Sequence, residues 1–313
     1  METSDIMDNA ESVNVLLVVP ETGMSSNVSA ILRNCGFVNI TIIKSLDKLE
    51  KHLDIPVPDI IICSAEFPQG DSCDLIKNLR LSDIGKNPFI PIITITADPS
   101  KEFVQKIIST GTDALMAVPF SAQQLMDRIN GIIGNRKQFV ATSDYLGPDR
   151  RPNSRGKNDM KITKFDVPNT LRDKITGEEP PERVGKTIRT MMDEMLLFRL
   201  DRQSDQIIYL VDKIKHSCEM GEVDPHARSL IESLQDVARD VIIHMEGTAY
   251  EHVSGLCESL LQVIPDIPES SGEALRKNLK LLSQLSLAIQ VGFTSTQSAE
   301  AALQISDTIG HGN

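Results

Sequence analysis

The side chains that could do chemistry in this chain gather where apolar runs end. Val19, Pro20 and Glu21 close or follow the run 13–19, Ser64 and Glu66 follow 59–63, Thr96 ends 89–96, and Val118 and Pro119 end 114–118. In a sheet of parallel strands such positions share the carboxyl edge, where ligands bind. A serine there is a weak nucleophile without a base beside it, and Ser64 has none in its own segment. Glu21 and Glu66 are oxygen ligands that could hold a divalent cation only in a weak, shifted geometry, so neither a metal nor another cofactor is expected. Cys35, Cys63, Cys73, Cys218 and Cys257 form no CxxC pair and have no histidine at ligand spacing. They read as reduced packing thiols. His216 and His244 could in principle accept a phosphoryl group, but each reads first as an ordinary helix residue.

The elements that must position these residues alternate strand and helix five times. The strand patterns are 13–19, 38–43, 59–63, 89–96 and 114–118. The helical patterns are 25–34, 46–53, 71–80, 101–109 and 121–133, with Ser121 as an N-cap. Continuous β-branched runs such as VNVLLVV suit strands buried on both faces. The rhythm predicts a doubly wound, five-stranded parallel sheet with right-handed crossovers, an α/β fold.

The segment PDIIICSAEFPQGDSCDLIKNLR, residues 58–80, resembles the phosphorylation segment of a response-regulator receiver (CheY-like) domain, and the resemblance extends over about 13–134. PIITITA, ending on Thr96, is similar to the strand that carries that family's switch hydroxyl. GTDALMAVPF is similar to the segment that carries its lysine before a proline. The resemblance implies a metal-holding acidic pair, an acceptor aspartate and a lysine. Those positions hold Val19 and Pro20, Ser64, and Val118 here. Aspartyl phosphorylation needs a carboxylate nucleophile and a metal to offset the crowded negative charge. A cation must also pair with the phosphoryl oxygens. The expectation is a pseudo-receiver whose site is degenerate at Val19, Pro20, Glu21, Ser64, Thr96 and Val118. The surface that receivers commonly use implies partner contacts at Leu115, Pro119, Phe120, Gln123, Gln124 and Leu125.

Residues 136–185 lack periodicity and are rich in proline and glycine, so they read as a flexible basic linker between 13–135 and a second domain over 186–310, with 1–12 as a tail. Eight basic residues against three acids over 136–164 make the linker locally basic. Its string YLGPDRR resembles a segment that follows receiver domains in some alphaproteobacterial regulators. From Lys186 the apolar spacing turns helical, with Met191, Met192 and Met195 on one stripe and Asp224–Pro225 as a helix start. An all-α bundle of four or five helices is expected. It weakly resembles a degenerate histidine phosphotransfer bundle, in which Ala238-Arg239-Asp240 places arginine where the histidine would stand.

The formal net charge of −12 argues against an electrostatic grip on nucleic acid or an anionic membrane. The absence of tryptophan argues against base-stacking platforms. No run reaches membrane-spanning length, and the polar start METSDIMDNAES does not read as a signal peptide. Together these features predict a cytoplasmic, non-enzymatic adaptor of the two-component type. Its partners would be other signalling proteins, with a homodimer left open. Two rivals stand beside it: a phosphorelay protein using His216 or His244, and a small-ligand sensor with a pocket at Val19, Ser64 and Val118.

Overall fold

The computed structural model describes residues 9–54, 56–82, 84–142, 145–151, 164–178, 181–218, 223–245, 248 and 250–294. It divides into two compact units, Met1–Asp193 and Glu194–Asn313.

In the first unit the chain runs β1 (Asn14–Val18), α1 (Thr22–Asn34), β2 (Asn39–Ile43), β3 (Ile60–Ser64), a short pair β4 (Glu66–Phe67) and β5 (Gly70–Asp71), then α2 (Cys73–Leu81). It continues through β6 (Ile92–Thr96), α3 (Lys101–Ile108), β7 (Ala114–Ala117) and α4 (Ala122–Asn135). The five long strands form one parallel sheet in the order β2-β1-β3-β6-β7. The order reverses direction at β1 and β3, as a doubly wound sheet requires. Alternate residues feed opposite faces. Leu17, Ile62 and Ile95 meet Val28 and Leu32 of α1 and Leu125 and Ile129 of α4. Leu16, Ile61 and Ile92 meet Ile76 and Leu79 of α2. Each such side chain, fully buried, contributes about 1.5–3 kcal/mol by leaving water.

Three local expectations are corrected. Residues 46–53 form two 3-10 turns, Leu46–Lys48 and Glu50–His52, in place of a helix. Leu49 and Leu53 are buried nonetheless, so the apolar spacing reported packing and not helix length. The strand expected over 89–96 starts at Ile92, because Pro91 brings no N–H to a ladder.

The third correction is the largest. Much of the stretch expected as a linker is folded onto the first unit. β8 (Phe139–Ala141), β9 (Leu146–Pro148) and β10 (Lys164–Phe165) make a small antiparallel sheet, and α5 (Thr170–Thr176) follows. Leu171 and Ile175 of α5 are buried in the same core as Val13 and Phe37. Lys174 pairs with Asp59 at 2.7 Å, and Asn169 Nδ2 donates to the Ile132 carbonyl at 2.8 Å. The YLGPDRR string lies across Gly111: a Cβ on Gly147 would stand 2.5 Å from the Gly111 Cα. Arg150 Nη2 donates to the Thr112 carbonyl at 2.6 Å. The Arg80 and Arg136 guanidinium groups both pack on the Phe139 ring, 5.4 and 4.8 Å from its centroid. Both arginines also bond Asp113.

The second unit is all-α among its described residues. α6 (Pro181–Ser217) crosses the boundary between the units, and α7 (Pro225–Met245), α8 (Glu251–Val263) and α9 (Gly272–Thr294) complete it. Asp224 caps α7 as expected, its Oδ1 accepting from Ala227 N at 2.6 Å. Ile207, Ile214, Leu234, Val241, Leu260 and Leu282 fill the interior.

Candidate functional site

The carboxyl edge of the sheet assembles most of the residues singled out in the sequence. Ser64, the last residue of β3, is in register with Ile95, and Thr96, the last of β6, with Ala117. The Val118 N–H donates to the Thr96 carbonyl at 2.9 Å, so Ser64, Thr96 and Val118 end three successive strands. Ser64 and Thr96 are buried, whereas Val118 is partly exposed. Val19 continues β1 with its N–H on the Ile43 carbonyl and its side chain wholly inside the core. It therefore faces packing atoms and not a cleft. Pro20 is half-buried, and Glu21 is exposed ahead of α1.

Glu66 is brought into this edge by the β4–β5 hairpin. Its Oε1 accepts from the Thr96 hydroxyl at 2.6 Å, from Ala97 N at 2.9 Å and from Asp98 N at 3.0 Å. A 2.6 Å O–H···O contact lies in the range of charge-assisted bonds to a carboxylate. The second strand of the hairpin is also held, at the residue opposite Glu66: Asp71 Oδ2 pairs with Lys106 Nζ of α3 at 2.6 Å, and Asp71 Oδ1 accepts from Cys73 N at 2.9 Å. Burial alone would raise the Asp71 carboxyl. The hydrogen bonds from Lys106 and Cys73 outweigh it and hold the group below its ordinary value. Beside Ser64, burial pushes the Cys63 thiol up to about 12, leaving it unreactive at neutral pH. Among the described residues no cluster of three His, Cys, Asp or Glu side chains could hold a metal.

The role of Glu66 went unread in the sequence, where it stood only as a turn residue and weak metal ligand. Two of its three partners are backbone amides, which carry no signature in residue type.

Three of the residues expected on a partner face, Leu115, Phe120 and Gln124, line one groove. This groove of about 290 Å³ is lined by Leu115, Ala117, Phe120, Gln124, Asp127 and Arg128. Pro119 and Gln123 are exposed beside it. Leu125 does not belong there: it is fully buried in the core, because α4 turns that face to the sheet. Gln124 is committed to a capping box with Ser121, accepting from Ser121 N at 2.7 Å while Ser121 Oγ accepts from Gln124 N at 3.2 Å.

This geometry is matched by sequence comparison. The response regulator receiver domain profile matches residues 15–130. Residues 15–130 are a response regulator receiver domain. The phosphate regulon transcriptional regulatory protein PhoB of Shigella dysenteriae is 24% identical over 75% of this chain and 96% of its own length. The transcriptional regulatory protein PhoP of Escherichia coli is 26% identical over 37% of this chain and 52% of its own. The chemotaxis protein CheY4 of Vibrio cholerae is a solved structure similar to the receiver at 21% identity. It covers 38% of this chain and 96% of its own, with a TM-score of 0.34.

The helical unit places its two candidate histidines differently. His216 is exposed in the last turn of α6. His244 Nε2 lies 2.9 Å from Arg199 Nη2, and its Nδ1 lies 2.6 Å from the Asp240 carbonyl. A guanidinium only donates, so Nε2 is the acceptor and Nδ1 carries the proton. Arg239 is exposed beside Asp236, 3.7 Å away.

Proposed function

We propose that this chain is a phosphorylation-independent signalling adaptor of the two-component type, in which a pseudo-receiver and a helical unit act by protein contact and not by turnover. One observation carries the reading: β3 ends on Ser64, and the neighbouring strand ends offer Val19, Pro20 and Val118, neither carboxylates nor a cation. A magnesium ion does not fit this donor set. Val19 and Pro20 supply no side-chain oxygen, and one Glu66 oxygen is already engaged by three donors. The burial of Val19 speaks against a ligand pocket at Val19, Ser64 and Val118. The groove beside Leu115 and Phe120 is the face proposed for a signalling partner.

The match to PhoB suggests a transcriptional output as an alternative. Against direct nucleic-acid binding, acidic residues outnumber basic ones two to one from Glu194 onward, so phosphate neutralisation has little to draw on. A relay through the bundle keeps one observation in its favour, the exposure of His216. The nearest same-face cation, Lys213, has its Nζ 5.5 Å from the Tyr209 ring centroid, one turn the other way.

The test is to add acetyl phosphate, or beryllofluoride with magnesium, to the full chain and follow amide resonances. No change around Ser64 and Thr96 is expected. Magnesium-dependent shifts there would sink the reading, and a phosphoryl group recovered on His216 would replace it with the relay.

A further inference from the structure

We infer that the Thr96 hydroxyl and the Ala97 and Asp98 amides form an oxyanion seat whose resident ligand is the chain's own Glu66 carboxylate. The inference deepens the pseudo-receiver reading and rests on it: a seat filled from within needs no phosphoryl group.

The geometry is that of an anion site. Three donors from one turn converge on a single oxygen, Glu66 Oε1, at 2.6, 2.9 and 3.0 Å. Successive backbone N–H groups at a turn make an anion-binding concavity. Thr96 adds a hydroxyl whose side chain is buried, so its single proton has no competing water. Of its two acceptors, Glu66 Oε1 at 2.6 Å is closer than the Asp98 carbonyl at 3.1 Å, so the proton favours Glu66. The Asp98 N–H is shared between Glu66 Oε1 at 3.0 Å and the Thr96 hydroxyl oxygen at 3.1 Å, which helps to orient the hydroxyl. The Asp98 side chain is turned away, its Oδ1 accepting from Ser100 N at 2.8 Å just ahead of α3. The donors thus point at Glu66 and not at the nearer acid in sequence.

The occupant is tethered, which sets its effective concentration far above that of a dissolved anion. Glu66 sits on β4, paired to β5 with Glu66 opposite Asp71. Because Asp71 pairs with Lys106, the base of the hairpin is fixed to α3 through one strand and to the turn preceding α3 through the other. The bound carboxylate therefore holds α3 and the β6–α3 turn in one arrangement. The seat accepts carboxylates and other small oxyanions, and a dissolved anion enters only when Glu66 is absent.

The experiment compares the full chain with Glu66→Ala and Glu66→Gln by hydrogen exchange at the Ala97 and Asp98 amides, with sodium acetate as the probe. In Glu66→Ala, exchange at both amides should accelerate at least about tenfold, the scale of losing a charge-assisted bond. Millimolar acetate should restore much of the protection, while the parent protein should not respond to acetate. Glu66→Gln, which keeps an oxygen acceptor without the charge, should fall between them and show no rescue. Unchanged exchange in Glu66→Ala, or protection that acetate does not restore in a chain still folded by circular dichroism, overturns the inference. So does an acetate response in the parent. Should Glu66→Ala unfold, exchange in Glu66→Gln equal to the parent's overturns it, and faster exchange supports it. Phosphorylation of the parent at Ser64 would instead refute the pseudo-receiver reading, and the acetate measurement would still report on the seat.

Discussion

Asp113 accepts from two buried guanidinium groups at once. Arg80 Nη2 lies 2.8 Å from Oδ2 and Arg136 Nε 2.7 Å from Oδ1, and all three side chains are nearly inaccessible to water. Burial pushes the Arg80 guanidinium down to about 10; Asp113 opposes the shift and Arg136 adds to it. Without the carboxylate, two cations would face each other in a poorly hydrated site. Asp113→Asn is therefore expected to cost about 3–5 kcal/mol, read as a lower urea midpoint for the receiver transition. A loss under about 1 kcal/mol, the scale of an exposed pair, would show that the cluster is dispensable. Asp149 gives a pH dependence. Its hydrogen bond from Arg151, with a second from Lys164, holds its carboxyl well below the ordinary 3.8. Depressed in the folded state, it contributes stability that is fully present above pH 3.8 and lost as pH falls toward the folded value. Hydrogen-exchange protection of 139–148 should decline below about pH 4. Asp149→Asn should remove that dependence, and a variant that still titrates like the parent would assign it elsewhere.

At the scale of elements, the strap over the receiver depends on two glycines meeting. Gly111 has φ +88°, and a Cβ there would stand 2.3 Å from the Leu146 carbonyl oxygen. On Gly147 it would stand 2.7 Å from the Tyr145 hydroxyl as well as close to Gly111. Neither neighbour is the free end of a flexible chain, since Tyr145 is itself bonded to the Pro148 carbonyl at 3.0 Å. Gly147→Ala should lift β8 and β9 from Gly111 while leaving the five-stranded sheet intact. The expected signature is faster hydrogen exchange over 139–148 with unchanged exchange in β1, β3 and β6. Equal protection in variant and parent would show that the strap has room to spare.

For the molecule as a whole, the packing of 164–178 against the receiver bears on where the first domain ends, and we propose that it ends near residue 178. The boundary near residue 135 rested on the loss of periodicity, yet Leu171 and Ile175 lie in the receiver core. Limited proteolysis is expected to give an amino-terminal piece that runs to about residue 178, allowing the few residues by which element ends fray. A stable piece ending near 140 would show that α5 and the strap are accessory. The two compact units divide at Asp193 and Glu194, inside α6.

The sequence by itself determined the alternating α/β unit and the helical unit that follows. Period-two and period-3.6 spacing is local information, and apolar runs such as 60–63 can satisfy their backbone only inside a sheet. It also determined that β3 ends on Ser64 and that Val19, Pro20 and Val118 stand at the neighbouring strand ends, because those are statements about residue type at strand termini. Tertiary structure alone decided three things. Leu125 is core and not surface, because the rotation of α4 against the sheet chooses which of its faces is buried. The strap is folded, because three-residue strands have too little periodicity to register, and Arg80, Asp113 and Arg136 hold it from positions far apart in the chain. Glu66 is a ligand of the β6–α3 turn, because its partners include two backbone amides some thirty residues away, and a backbone amide looks the same in every sequence.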